Sequence, residues 1–377
     1  MSTGVGHHSA EHSAAGPAGD TDALEALIHN GGEELRERMA RIELHLERVT
    51  AAAGAPLAEH ANATIMAGGK RLRPLLVVLA AESAGFDLLP PAPTDLPRCP
   101  SSGRSPPLDA DAGDECLIRA AVAVELVHSA TLVHDDVIDG AQLRRGRPTV
   151  AAGAGRQVAV ATGDLLFSRA FAELARNEDQ AQLRALSDAS SALAAGELLQ
   201  REDAYAPHVA IERYLRRCEL KTAALFEAAC RLGALIAAGA AGIGSTDLAD
   251  ALGTFARRIG LAFQILDDVL DVSGPVERTG KLRGTDLLDG TVTLPLILAR
   301  ERDGELAGVD LAALRGARQA EELCKRIAAT GALEQARERA LVLVAEAKAA
   351  LPVAVAGRAG SPALLEQVAD AVVERYR

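Results

Sequence analysis

Two acidic clusters carry the most specific chemistry in this chain. The first lies in His128-Ser-Ala-Thr-Leu-Val-His134-Asp135-Asp136-Val-Ile-Asp139, the second in Gln264-Ile-Leu-Asp267-Asp268-Val-Leu-Asp271. On a helix, Asp135 and Asp139 are four residues apart and share one face, as do Asp267 and Asp271. His128 lies seven residues before Asp135, about two turns away on the same side. Crowding carboxylates this closely raises their pKa values unless a cation sits among them. Hard divalent ions take oxygen ligands, and magnesium commonly bridges one or two carboxylates to phosphate oxygens. One such cluster reads equally well as a solvated helix end. Two, each embedded in apolar helical sequence, are hard to explain that way.

Basic segments lie near both clusters. Gly68-Gly69-Lys70-Arg71-Leu72-Arg73-Pro74 reads as a loop running into a helix. Its glycines free the backbone for close approach, and proline suits a first helical turn. Cations beside a helix N-terminus make a diphosphate cradle. Arg144-Arg145-Gly146-Arg147-Pro148-Thr149 follows the first cluster, and arginine can grip a phosphate that bridges to metal. Lys221-Thr222 lies mid-helix in an Ala-rich apolar stretch, where threonine beside the lysine suggests a buried polar pair. Gly280-Lys281 and Gly284-Thr285-Asp286 form a loop beyond the second cluster. Each has a plainer reading: a salt-bridged turn, neutralisation of nearby acids, a surface lysine, a loop charge.

The elements that position these residues read as helices. Apolar residues recur at three and four spacing over 23–50, 73–84, 116–137, 158–175, 180–200, 211–238, 246–272, 293–300, 311–328, 333–350 and 362–377. Some segments are rich in β-branched residues, but they run well beyond the usual strand length. Hairpin turn signals and fixed-period repeats are missing. Residues 1–20 are Ser, Gly, Ala and His without periodicity, and read as a disordered tail. The segment 87–114 holds seven prolines, which block helix and sheet, so it reads as an exposed insertion within a single domain spanning 21–377.

Composition narrows the function. Of 377 residues, 49% are hydrophobic and the net charge is −12, which argues against a nucleic-acid binder. The five cysteines are scattered without C-x-x-C spacing and read as reduced thiols. No basic start precedes an apolar run, and the longest uncharged stretch is too short to span a bilayer. The expectation is a cytoplasmic enzyme without a transmembrane segment, whose product can associate with membrane.

Taken in order, the segments GGKRLRP, ELVHSATLVHDDVID, RRGRPT, GDLLFSRAF, GELLQ, LKTAALF, FQILDDVLD and GTDL, ending in TLP, resemble the trans-polyprenyl diphosphate synthases over about residues 62–298. The resemblance implies an all-α domain with helices around a deep central cavity, usually homodimeric. It implies that Lys70, Arg73, His128 and Arg145 hold isopentenyl diphosphate. Asp135, Asp139 and Asp267 would ligate magnesium, about three ions per site, on an allylic diphosphate, with Asp136, Asp268 and Asp271 in support. Arg144, Lys221, Gln264 and Lys281 would contact the allylic diphosphate. Thr222 and Gln264 would also lie near the developing allylic cation. The reaction implied is ionisation of the allylic C–O bond, addition of the cation to isopentenyl diphosphate and proton loss, giving a linear all-trans polyprenyl diphosphate. One position departs from the pattern: Thr291 stands where the family often has lysine before TLP.

Product length depends on the floor beneath the first aspartates. Thr131 sits one turn below Asp135, Val127 and Val124 continue down that side, and Ala130 flanks them. In the resembled family, aromatics at the positions of Ala130 and Thr131 stop growth early. The small residues here lead to an expected product of C30–C50, with C20 as the nearest alternative. A terpene cyclase steers its cations with aromatic walls. This chain has only six Phe, three Tyr and no Trp, and it carries a cradle for a second diphosphate. A non-catalytic subunit of a heteromeric synthase typically lacks the aspartates or the cradle, and both are intact here.

Overall fold

Long Ala- and Leu-rich stretches without strand alternation leave helix as the structure that satisfies the backbone and buries one face at a time. The computed structural model describes residues 25–52, 54, 57–86, 110–144, 146–240, 247–274, 283–355 and 361–374. The expected tail at 1–20, most of the insertion, Arg145 and Lys281 lie outside these described residues.

The architecture is all-α. In chain order the helices are α1 Gly32–Ala51, α2 Leu57–Met66, α3 Leu72–Ser83 and α4 Ala110–Asp139. Next come α5 Val150–Ala154, α6 Arg156–Ala175, α7 Gln180–Glu202, α8 Ile211–Cys218 and α9 Ala224–Ala240. The remainder are α10 Asp247–Ser273, α11 Thr285–Leu288, α12 Leu294–Arg302, α13 Gly304–Ala307, α14 Ala317–Ala329, α15 Ala332–Val355 and α16 Ser361–Glu374. Two-residue strands, β1 Leu143–Arg144 and β2 Arg147–Pro148, pair antiparallel between α4 and α5. This small hairpin was not expected from sequence. Gly146 makes its reversal at φ 74°, a conformation open to glycine.

Helix ends follow local chemistry. The Asp179 side chain accepts from the backbone amides of Ala181 and Gln182 to start α7. Thr149 does the same for α5 through Ala152, and Pro295 occupies the first turn of α12. The helix expected over 211–238 is interrupted by a π-helical turn at Glu219–Ala223. The insertion is shorter than expected at its C-terminal end. Helix α4 begins at Ala110, and Asp114 is fixed by Arg38 (2.9 Å) and Arg41.

The two aspartate-bearing helices are central. Helix α4 packs along α6, α3 and α9; α10 packs along α15 and α9. Helix α3 is buried on nearly every side, with Leu75, Leu76, Val77, Val78 and Leu79 all at 0% exposure. Each such Leu or Val contributes roughly 1.5–3 kcal/mol by leaving water. By length and hydropathy, Ala112–Asp139 and Ile211–Ala240 could cross a membrane. Their most apolar windows are 78% and 61% buried inside the fold, as core helices are. Cys116, Cys218, Cys230 and Cys324 are buried free thiols, in keeping with the reduced state expected.

Candidate active site

The clusters sit at the C-terminal ends of α4 and α10, and the π-turn between α8 and α9 lies between them. That turn is wedged where two glycines allow close approach. A Cβ on Gly196 would stand 2.5 Å from the Lys221 amide, and one on Gly260 would stand 2.8 Å from the Ala223 Cα. Alanine at either position would push the turn away. π-turns in helices recur at functional sites, and this one presents Lys221 and Thr222.

Polar contacts link the walls. On the first side, Arg144 donates to Asp136 at 2.8 Å, Arg201 to Asp139, and Lys221 to Glu197. On the second, Thr222 donates to Gln264 Oε1 at 2.7 Å, and Gln264 Nε2 donates to Asp268 Oδ1 at 2.8 Å. Tyr214, fully buried, donates to Asp268 Oδ2 at 2.7 Å. Asp136 and Asp268 are both buried, so they brace their clusters rather than face solvent. Burial, followed by repulsion from Asp286, pushes the Asp268 carboxyl up. Asp271 accepts from the Asp286 amide at 3.2 Å and pins the start of α11.

Asp135, half-buried, is the electrostatic problem of the site. Burial pushes its pKa from 3.8 to about 6; Lys221 and Arg144 pull it down, while Glu197 and Asp139 push it up. Holding this carboxylate ionised at neutral pH opposes folding by up to about 3 kcal/mol. With the pKa raised in the folded state, metal-free stability falls as pH rises from about 4 to about 6. Asp135→Asn is therefore expected to raise the melting temperature of the metal-free chain in EDTA near pH 7. An unchanged or lower melting temperature would contradict the electrostatic account.

The cradle comprises Lys70, half-buried, and Arg73. Arg71, whose side chain sequence left without a role, anchors it from a left-handed conformation (φ 46°). Its guanidinium binds Glu43 (2.6 Å), Glu125 (2.8 Å) and the Ile65 carbonyl (2.9 Å). Glu125 lies one turn before His128, so the loop is clamped against α4 beside that half-buried histidine. Arg73 lies over the Phe226 ring at 4.9 Å. Burial lowers its pKa to about 10, which leaves it charged at neutral pH. Its Nε is buried with no hydrogen-bond partner among the described residues. A buried cationic donor without a partner fits an anion from outside the chain.

Among the described residues, no three His, Cys, Asp or Glu side chains converge as a metal cage. The donor set nevertheless fits magnesium, which is usually shared between one or two carboxylates and substrate phosphates. Asp135, raised by burial and by like charges, is the natural first ligand.

The family model described as polyprenyl synthetase matches residues 55–330. The chain belongs to the polyprenyl synthetase family. The component 2 of heptaprenyl diphosphate synthase from Geobacillus stearothermophilus is 39% identical over 70% of this chain and 73% of its own. A geranylgeranyl diphosphate synthase from Methanosarcina mazei is 34% identical over 82% of this chain and 86% of its own. A polyprenyl synthase from Caulobacter crescentus CB15, solved with calcium and isoprenyl diphosphate, aligns at TM-score 0.78 and 32% identity. It covers 96% of this chain and 98% of its own. This polyprenyl synthetase is a prenyltransferase with the all-α fold of these relatives.

In this polyprenyl synthetase the structure brings together Asp135, Asp136, Asp139, Arg144 and Lys221 on one side, and Thr222, Gln264 and Asp268 on the other. Sequence reasoning gave no role to Glu197, Arg201 or Tyr214. Glu197 and Arg201 were visible as a pair four apart on one helix face. Tyr214 carried no local signal, because its partner Asp268 is distant in sequence. Thr291 is half-buried, and its amide bonds the Asp286 carbonyl at 2.7 Å.

Proposed function

We propose that this prenyltransferase condenses isopentenyl diphosphate with an allylic diphosphate to a linear all-trans product of C30–C50. The observation that carries the reading is the pairing of two unlike sites. One has carboxylates and cations already matched to each other between α4, α7 and the π-turn. The other has a buried, unpartnered Arg73 Nε against α4. The first suits a diphosphate that arrives with metal, the second a diphosphate bound by cations alone.

Asp135, Asp139 and Asp267 would hold about three magnesium ions, which when bound would draw charge off the leaving diphosphate. Lys221 and Arg144, with Lys281, orient the same group. Lys70, Arg73, His128 and Arg145 hold the isopentenyl diphosphate so that its double bond meets the allylic carbon. Thr222 and Gln264, locked to each other and to Asp268, direct a fixed amide and hydroxyl dipole toward the developing cation. The released diphosphate takes the proton, so no side chain is assigned as base.

The small residues below Asp135 support the longer product. Ala130, Val127 and Val124 are fully buried, and Thr131 is half-buried with its hydroxyl turned back to the His128 carbonyl at 2.7 Å. The chain acts in the cytoplasm as a homodimer in this reading. The relatives from Geobacillus stearothermophilus and Bacillus subtilis, each called component 2, favour a second arrangement in which another subunit completes the synthase. Incubating the purified protein with magnesium, isopentenyl diphosphate and farnesyl diphosphate tests both. Linear products of C30–C50 support the reading, while C20 alone or a cyclic hydrocarbon overturns it. Silence relieved only by an added protein supports the two-component arrangement.

A further inference from the structure

A metal ligand and a diphosphate-binding cation are tied together through two residues that the reaction does not otherwise employ. Arg201, in the last turn of α7, donates from Nη2 to Asp139 Oδ1 and from Nε to Glu197 Oε1 at 3.2 Å. The other Glu197 oxygen, Oε2, accepts from Lys221 Nζ. The side chains of Asp139 and Arg201 are 35% and 39% exposed, so this pair lies where an ion from solution can reach it. Glu197 and Lys221 are deeper, at 12% and 26%.

A divalent ion at Asp139 would compete with the guanidinium for its carboxylate charge. Once displaced, Arg201 has a second acceptor already in hand. A guanidinium satisfies a carboxylate best with two parallel N–H donors on its two oxygens. On Glu197 that arrangement needs Oε2, the oxygen that Lys221 holds. We propose that Arg201 is a positioning residue that occupies Asp139 in the metal-free site and moves wholly onto Glu197 when a divalent ion takes Asp139, so that Lys221 is released toward the diphosphate. Every charge keeps a partner through the exchange: metal with Asp139, Arg201 with Glu197, Lys221 with diphosphate. The inference rests on the metal and diphosphate reading above and adds an order of events to it.

The test is manganese binding to the full chain without diphosphate, followed by the electron paramagnetic resonance signal of the free ion. Melting temperatures confirm that each variant is folded, and the exposure of Arg201 makes its replacement safe. Arg201→Met is expected to bind manganese about three- to fivefold more tightly, the scale of a half-exposed ion pair. Glu197→Gln is expected to bind it about twofold more weakly, because Arg201 is then left to Asp139 alone. The double variant separates the exchange from a simple field effect. If Glu197 acts on the metal through Arg201, the double variant matches Arg201→Met. If each charge acts only by its field, the two changes add independently, the double variant binds only about 1.5- to 2.5-fold more tightly than the unaltered chain and clearly more weakly than Arg201→Met, and the proposal fails. It also fails if Arg201→Met binds no more tightly than the unaltered chain. Absence of manganese binding to the unaltered chain without diphosphate overturns the proposal alone, because the metal reading has its own test in the loss of turnover on chelation.

Discussion

Asp135→Ala is expected to lower turnover by about 10³-fold or more at saturating magnesium, beyond the loss from deleting one neutral donor to a developing negative charge. Ionising the allylic C–O bond leaves its charge on a diphosphate oxygen, and stabilisation of that charge sets the rate. Asp135 is half-buried in the field of Glu197, Asp139, Lys221 and Arg144. Alanine removes a ligand, while Lys221 stays paired with Glu197 and Arg144 with Asp136. The loss should fall on kcat, and the KM for isopentenyl diphosphate should stay nearly unchanged, because the proposed function assigns that substrate to Lys70, Arg73 and His128 in the other pocket. Removing the buried charge relieves a folding cost, so inactivity cannot be assigned to unfolding. Chelation should reproduce the effect in the unaltered chain, with recovery on added magnesium. Steady-state kinetics with labelled isopentenyl diphosphate measures both, and full activity in EDTA would refute a metal role.

The second large effect is on product length. Thr131→Phe is expected to shorten the product from C30–C50 to C20 or less while leaving the first condensation within a few-fold of normal. Thr131 lies one turn beneath Asp135 and keeps part of its surface open. One turn is ~5.4 Å, close to the advance per isoprene unit, so an aromatic ring there closes the floor after the first additions. Ala130→Phe should act in the same direction. That residue is fully buried, however, and the added volume is expected to cost about 1–3 kcal/mol of stability through overpacking. Chromatography of the dephosphorylated products decides. An unchanged distribution in folded Thr131→Phe would place the growing chain elsewhere.

What was legible in the sequence follows from how local each signal is. Asp135, Asp139, Asp267 and Asp271 announce themselves by helical spacing, whereas Gln264 was assigned only through the resemblance. The all-α fold was legible because eleven apolar periodic segments leave little alternative. The π-turn was not. It depends on α7 and α10 closing on either side through Gly196 and Gly260, and neither glycine signals its neighbour from sequence. Tyr214 was hidden for the same reason. The insertion was drawn too long because prolines dominate 87–107, while Ala110 to Asp114 form helix under the grip of Arg38 and Arg41. Arg144 shows both of its readings at once. It neutralises Asp136 in this structure, and contact with the diphosphate belongs to the proposed function.

The site also illustrates a general cost of catalytic geometry. Asp135 is held at a raised pKa, Arg73 carries a buried donor without a partner, and Arg71 sits at positive φ. Each is a local departure that substrate or metal would relieve, or that a clamp of carboxylates sustains. Glu43 and Glu125 provide that clamp for Arg71, and their removal would loosen the cradle without touching the diphosphate.

The central claim is that two facing aspartate walls share a metal-bound diphosphate while a separate cationic pocket takes the second. Crystals grown with manganese and an unreactive allylic thiodiphosphate test it directly through the anomalous signal of the metal. The account predicts manganese between the walls, at about 2.0–2.2 Å from oxygens of Asp135, Asp139 and Asp267, with the thiodiphosphate bridging them and Arg73 not contacting it. Manganese bound away from all three aspartates, or the thiodiphosphate seated on Arg73 with no metal, would contradict it.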